Sequence, residues 1–201
     1  MRTLDALLKA LYPKPSAPNA QLKPSDPFVP DTSVPDSRST PDMTAILTQP
    51  LRRELGDFNS IVCFKAVITG IEDTLGTDGA AVAFIRAGKV RGHVLATELG
   101  LTGSNVPVEQ IASALNAAIG KDGTRLCAVT RSYMQDGEIV IETQDTVCSA
   151  GEPQGSERKC TFTLGAVWGA LEAVTGQTFL GEHAESVLRG GTSDKFVFSP
   201  L

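Results

Sequence analysis

The sequence predicts an α+β fold, in which an antiparallel sheet packs against helices and a short N-terminal helix and a Pro-rich linker come first. Apolar residues recur at three- and four-residue intervals in several stretches after residue 60, which is the helical period. A period of two replaces it at 126–131 and 139–143, on either side of an Asp-Gly turn. Most prolines, by contrast, lie before residue 51.

Residues 1–12 have the pattern of a short amphipathic helix that ends before Pro13. Its apolar face consists of Leu4, Leu7, Leu8 and Leu11. A helix of about three turns is marginal alone, so we expect a docking helix that needs a partner. The partner is open between its own domain, a sister subunit, another protein and a membrane surface. A mobile or self-docked terminal helix is the simpler alternative.

Residues 13–50 contain nine of the twelve prolines of the chain, mixed with Ser, Asp, Thr and Asn. So few large apolar residues cannot build a core, and we expect an extended, disordered linker. The globular domain is then expected at 51–201.

Three helices are expected in the first half of this domain. The first runs from Ser60 to Leu75 and ends at Gly76, and a turn at 77–79 leads to the second, at about 80–99. The third covers 108–119.

The second half is expected to contain two hairpins and a central helix. Thr146 to Cys148 should extend the second strand of the first hairpin, and 150–159 should form a loop. Residues 177–187 and 194–198 are expected to form the other two strands.

The central helix, after Cys160, has one large apolar face and one narrow flank. The large residues are Leu164, Val167, Trp168, Leu171 and Val174, and the small ones are Gly165, Ala166, Gly169, Ala170 and Ala173. So little side chain on one flank allows another backbone or a ligand to approach closely.

Composition excludes several classes. A net charge of -5 argues against a nucleic-acid surface, which needs a basic face. No apolar run reaches the length of about 18 residues that would span a bilayer, and the N-terminus is a poor secretion signal. The four cysteines form no Cys-x-x-Cys pair, so we expect reduced thiols and a cytoplasmic protein.

The closing part of the chain contains a series of spaced motifs. They are Cys160-Thr-Phe162-Thr-Leu-Gly165 with Gly169 and Gly176, then His183-Ala-Glu185-Ser186, then Gly190-Gly191-Thr-Ser-Asp194-Lys-Phe196, with Phe84-Ile-Arg-Ala-Gly88-Lys-Val-Arg-Gly92 upstream. In order and spacing they resemble the 4-vinyl reductase family of hydrocarbon-binding domains, from about residue 60 to the end. The resemblance implies a fold shared with TRAPP vesicle-tethering subunits and with sensor domains of aromatic-responsive regulators, usually dimeric around an apolar pocket.

The resemblance implies an apolar ligand pocket at the centre of the domain. The candidate lining residues are Phe64, Val67, Ile68, Ile71, Phe84, Ile85, Trp168, Leu171 and Phe179. An ordinary core would use the same residues, so a filled interior is the alternative. Arg86, Arg91, His93 and Arg131 are candidates for anchoring an acidic group at the rim.

The resemblance also implies a metal site, whose positions are Cys160, His183, Ser186 and Asp194 in this chain. Cys, His and Asp are competent zinc ligands, whereas Ser is a poor one. We therefore predict a possible zinc site at Cys160, His183 and Asp194. The alternative is that Cys160 is a buried packing residue and His183 an ordinary strand histidine.

Taken together, the sequence favours a non-catalytic domain that binds a small molecule or acts as an adaptor, in a homodimer or protein complex. It contains no dinucleotide fingerprint, flavin motif or iron-sulfur cysteine set, and we assign no catalytic residue. The alternatives are a dimeric adaptor or assembly factor with a filled core, and an accessory protein of tetrapyrrole synthesis.

Overall fold

The computed structural model describes Arg52, Glu54 and residues 58–201. The predicted docking helix with Leu4, Leu7, Leu8 and Leu11 and the predicted linker lie outside the described residues. The elements are α1 (Ile61–Glu98), α2 (Val108–Ile119), β1 (Ala128–Gln135), β2 (Glu138–Gln144), α3 (Thr161–Thr175), β3 (Phe179–Glu185), a 3-10 turn (Val187–Arg189) and β4 (Asp194–Pro200). The predicted α+β class is confirmed.

The four strands form one antiparallel sheet in the order β1-β2-β4-β3. The predicted first hairpin joins β1 to β2, and β3 pairs with β4. Strand β4 lies at the centre, since Phe196 is opposite Ile141 of β2 on one side and His183 of β3 on the other. This pairing brings the start of β4 next to the end of β3.

The main core lies between the sheet and the helices, and α3 passes through it. Its largest fully buried side chains include Leu115, Ile119, Ile141, Leu171, Val174, Phe179, Phe196 and Phe198. Burying each such side chain stabilises the fold by about 1.5–3 kcal/mol. The predicted central helix is therefore confirmed as a core element.

The predicted turn at 77–79 is wrong, because these residues belong to α1. Only Gly76 leaves helical geometry, with φ 72° and ψ 165°. A single glycine tolerates this positive φ at little cost, so the change of direction needs no loop.

The predicted extension of the second strand to Thr146–Cys148 is also wrong. Strand β2 ends at Gln144, and Asp145 takes a positive φ of 51°. The Thr146 hydroxyl then accepts a hydrogen bond from the Ser149 backbone N–H at 3.3 Å. A side chain that bonds the local backbone in this way favours a turn over a strand.

The first half of α1, up to Leu75, buries only one side chain, that of Ile68. Ion pairs join this half to the segment after β2: Lys65 to Glu152 at 2.5 Å, and Arg158 to Glu72 at 2.7 Å. Arg158 also pairs with Glu152 at 3.0 Å, so the charges form one connected network.

The second half of α1 packs directly against α3 through four buried glycines, Gly88, Gly92, Gly165 and Gly169. A Cβ on Gly92 would overlap the carbonyl oxygen of Ala166, and one on Gly169 would overlap that of Lys89. The narrow flank of the central helix is therefore occupied by the backbone of α1.

We expect Gly169→Ala to destabilise the fold by about 1–3 kcal/mol, since overpacking forces the two backbones apart. Chemical denaturation measures this loss as a change in the free energy of unfolding. The matched control is Gly70→Ala, in the same pair of helices, where an added Cβ meets nothing within 4 Å. The control should be stabilising by about 0.5–1 kcal/mol, and equal effects of the two changes would contradict the packing described.

Candidate functional site

A cluster of buried polar side chains joins the start of α3 to the end of β3 and the start of β4. Cys160 directly precedes α3, His183 lies on β3, and Asp194 is the first residue of β4. Their ligand atoms all lie within 4.8 Å of one another. Thr146, Cys148, Ser149 and Ser186 complete what we call the polar cluster.

Asp194 is the acceptor at the centre of the polar cluster. Its Oδ2 accepts hydrogen bonds from the hydroxyls of Thr146 and Ser149, both at 2.8 Å, and its Oδ1 lies 3.2 Å from Nε2 of His183. Burial acts to raise the pKa of Asp194, but the hydrogen bonds from His183, Thr146, Ser149 and Ser186 outweigh it and hold the pKa well below its usual range. The carboxylate is therefore charged and compensated at neutral pH.

His183 is held in one tautomer. Its Nδ1 accepts a hydrogen bond from the backbone N–H of Cys160 at 3.3 Å, so the proton is assigned to Nε2, which donates to Asp194. The side chain is only 3% exposed. Both ring nitrogens are thus used inside the protein.

The thiols of Cys148 and Cys160 lie within the same cluster as free cysteines. A hydrogen bond between them lowers the pKa of Cys148 and raises that of Cys160, and burial and the nearby Asp194 charge raise the Cys160 pKa further. The Cys160 Sγ also lies 3.1 Å from the Ser149 hydroxyl. Cys160 is therefore a protonated, unreactive thiol unless a cation binds beside its sulfur.

The polar cluster has the donor set for a metal ion. Nε2 of His183 and Oδ1 of Asp194 are 3.2 Å apart. Two ligand atoms that each lie about 2.0–2.3 Å from one zinc ion have a similar separation. An ion would have to replace the bond between these two side chains and the proton of Cys160. The triad can hold a metal, and without one its polar atoms already bond one another.

Cys160, His183 and Asp194 were predicted from the sequence as members of one site, whereas Thr146, Cys148 and Ser149 were not. The reason is the turn after β2, which carries these three residues into the cluster instead of along the sheet edge. The sequence signal that could have indicated these residues is the presence of three Ser, Thr or Cys residues within four positions.

A cleft of about 540 Å³ lies between α1, α2 and α3. We call it the α1–α2 cavity, and its walls are Phe58, Asn59, Ile61, Phe64, Arg91, Leu95, Ile119, Thr124, Arg125, Leu126, Val147, Phe162 and Ala166. Apolar side chains dominate this surface. Of the predicted pocket residues, only Phe64 lines it.

A second depression, of about 580 Å³, lies on the outer side of α1 and α3. We call it the Trp168 groove, and it is lined by Val82, Ile85, Arg86, Lys89, Val90, His93, Val94, Trp168 and Glu172. The indole N–H of Trp168 donates to Glu172 at 2.9 Å, and the ammonium group of Lys89 lies 4.2 Å from the ring centroid. Two predicted pocket residues, Ile85 and Trp168, lie here.

The other predicted pocket residues line neither space. Leu171 and Phe179 are fully buried in the main core, while Ile68, Ile71 and Phe84 belong to a small second core beside Phe64. Val67 is 53% exposed. The structure therefore does not gather the predicted set around one cavity.

No protein-family model matches the sequence, and a search of curated proteins finds no match. Solved structures do match. The phenol-responsive sensory domain of the transcription activator PoxR, with phenol, has a TM-score of 0.55 and 16% identity, covering 79% of this chain and 88% of that one. A trafficking protein particle complex subunit 3 from Naegleria fowleri, covalently bound to palmitic acid, has a TM-score of 0.50 and 15% identity, with coverages of 70% and 92%.

A vinyl-4-reductase family protein from Methanocaldococcus jannaschii also matches, at a TM-score of 0.39 and 16% identity, covering 73% of this chain and 85% of that one. The first two of these structures confirm the predicted resemblance at the level of the fold. Among the described residues, no helix is long and apolar enough to cross a membrane.

We expect Asp194→Asn to destabilise the fold by about 2–4 kcal/mol at neutral pH, because several charge-assisted hydrogen bonds are lost in a buried site. Thermal or chemical unfolding measures it. Since the pKa of Asp194 is lowered in the folded state, its stabilisation is present above about pH 4 and is lost as the pH falls further. The difference between wild type and variant should therefore narrow in acid.

Asp136→Asn, at the tip of the β1–β2 hairpin, is the control, because its φ of 52° suits Asn and its side chain is exposed. It should change stability by less than about 0.5 kcal/mol. A loss for Asp194→Asn no greater than this would show that the polar cluster does not stabilise the fold.

Proposed function

We propose that this chain is a non-catalytic small-molecule-binding domain, of the sensing or adaptor kind, and that the α1–α2 cavity takes a small apolar ligand. The observation that carries the proposal is the cavity itself. Its volume of about 540 Å³ falls within the range of ligand pockets, and apolar walls with a few polar groups are typical of them. The exposed outer groove at Trp168 is the competing place.

The structural likeness supports this proposal. One similar structure is a sensory domain solved with phenol, and another is a trafficking subunit with palmitic acid attached. Each holds an organic molecule with an aromatic or aliphatic hydrocarbon part on a fold like this one. At 15–16% identity the likeness extends to the fold alone. The kind of ligand that this chain binds therefore depends on the shape and chemistry of its own cavity.

The polar cluster supports a non-catalytic role. Its acid and base groups, Asp194 and His183, are buried and bonded to each other, so neither side chain is presented to a substrate.

The free state of all four cysteines supports the cytoplasmic location that the sequence suggests.

The test uses the full chain and two neutral probes, naphthol and dodecanol, titrated in a calorimeter. We expect at least one to bind, and Val147→Trp to weaken it by about tenfold or more, because the indole fills the cavity. Val82→Trp, an identical change in the Trp168 groove, should leave the affinity unchanged. The opposite pattern would place the ligand in the groove and reject the cavity.

A protein-binding role is the second candidate, and one observation favours it. Several large apolar side chains of α1 are exposed, namely Ile61, Val62, Val67, Leu75, Val82 and Val90. Such a surface suits a second copy or another member of a complex. If wild type binds neither the two alcohols nor the corresponding acids, this adaptor role becomes the better explanation. The tetrapyrrole-related role stays a prediction from the resemblance.

We further propose that Cys160, His183 and Asp194 hold a structural zinc ion when zinc is supplied. The ion would cross-link the start of α3 to β3 and β4. The Cys160 proton would leave on binding, since zinc binds the thiolate.

The expected result is about one zinc per chain after purification in zinc-containing buffer, measured by elemental mass spectrometry. Cys160→Ser should lose this zinc. Cys63 is an exposed cysteine on α1, and the control variant Cys63→Ser should retain the zinc. Wild type without stoichiometric zinc would contradict the proposal and leave the hydrogen-bonded form as the functional one.

A further inference from the structure

Arg91 is an unusual component of the α1–α2 cavity. It lies in the second half of α1 and lines the cavity, yet its Nη1 is buried without a hydrogen-bond partner among the described residues. Burial lowers the pKa of Arg91, against a favourable interaction with Glu98 two turns further along the helix. A guanidinium stays protonated in proteins, so a positive charge is kept in a poorly solvated place.

A second guanidinium lines the same cavity. Arg125 lies with its Cζ 5.1 Å from the centroid of the Phe58 ring. No Asp or Glu is among the described residues that line the space. The cavity thus combines apolar walls with two cations and no anion. Arg125 is exposed, whereas Arg91 is half-buried and its buried Nη1 has no hydrogen-bond partner among the described residues, although buried charges are normally paired.

We propose that the ligand of this cavity is an apolar organic acid, whose carboxylate binds Arg91 and whose hydrocarbon body contacts the Phe64, Leu95 and Phe162 side of the cavity. The inference rests on the proposed ligand-binding function and narrows it to a chemical class. A carboxylate accepts two parallel N–H bonds from one guanidinium, which a neutral alcohol cannot do. Such a ligand satisfies the unpaired Nη1 and buries its apolar part in the same step.

The experiment compares matched acids and alcohols on the full chain by calorimetry: dodecanoate with dodecanol, and naphthoate with naphthol. We expect the acid of a pair to bind about tenfold or more tightly than its alcohol, the usual range for a hydrogen bond to a charged group. The aliphatic and aromatic pairs show which kind of acid fits. Arg91→Met should remove the preference for the acid while the alcohol binds as before.

Two variants act as controls. Arg86→Met makes the same change on the same helix but in the Trp168 groove, and it should keep the preference for the acid. Arg91→Lys keeps the charge without the guanidinium fork and should retain part of the preference.

Equal affinity of acid and alcohol for wild type, or an acid preference that survives Arg91→Met, overturns the inference while ligand binding stands. If wild type binds neither acids nor alcohols, the proposed function falls and the inference falls with it. The wild-type comparison alone decides the class of ligand should Arg91→Met fail to fold.

Discussion

The direct backbone packing of α1 on α3 is the contact on which the rest of the domain depends. Gly88 and Gly92 on one helix meet Gly165 and Gly169 on the other, each at a place where a Cβ would strike a carbonyl oxygen. This proximity fixes where Phe84, Ile85 and Lys89 lie relative to α3. The α1–α2 cavity opens beside one edge of the contact, next to Ala166, and the Trp168 groove beside the other.

The polar cluster fixes the other end of α3. Helix α3 has no side-chain cap, and Cys160, the residue before it, instead donates its backbone N–H to His183. Through His183 the helix is joined to Asp194 and so to the start of β4. Buried polar networks stabilise a fold only when every member has a partner, and the cluster meets this condition among the described residues.

The class of fold and most elements could be predicted because their apolar periods are regular and long. Helix α2 was predicted at 108–119 and is found at Val108–Ile119. The break at Gly76 was predicted at the right residue, but its confinement to one residue and the turn after β2 could not be predicted, because a single positive φ or a hydroxyl-to-backbone bond leaves no periodic trace.

The site could be predicted in part. The resemblance located Cys160, His183 and Asp194, and the pairing of β3 with β4 beside the start of α3 brings their ligand atoms within 4.8 Å of one another. The pocket could not be located, because apolar periodicity identifies a buried face and does not distinguish a cavity wall from solid core. Leu171 and Phe179 fill the core, while Leu95 and Phe162, with equal apolar character, line the cavity.

The break at Gly76 separates two parts of α1 that are attached to the domain by different forces. The second part is fixed by glycine packing and apolar burial, which added salt does not weaken. The first part, which contributes Ile61 and Phe64 to the cavity wall, is attached by the small second core and also by the ion pairs of Lys65, Glu72, Glu152 and Arg158. Because mobile ions screen ion pairs but do not weaken apolar contacts, ionic strength acts on the attachment of one wall of the cavity more than on that of the other.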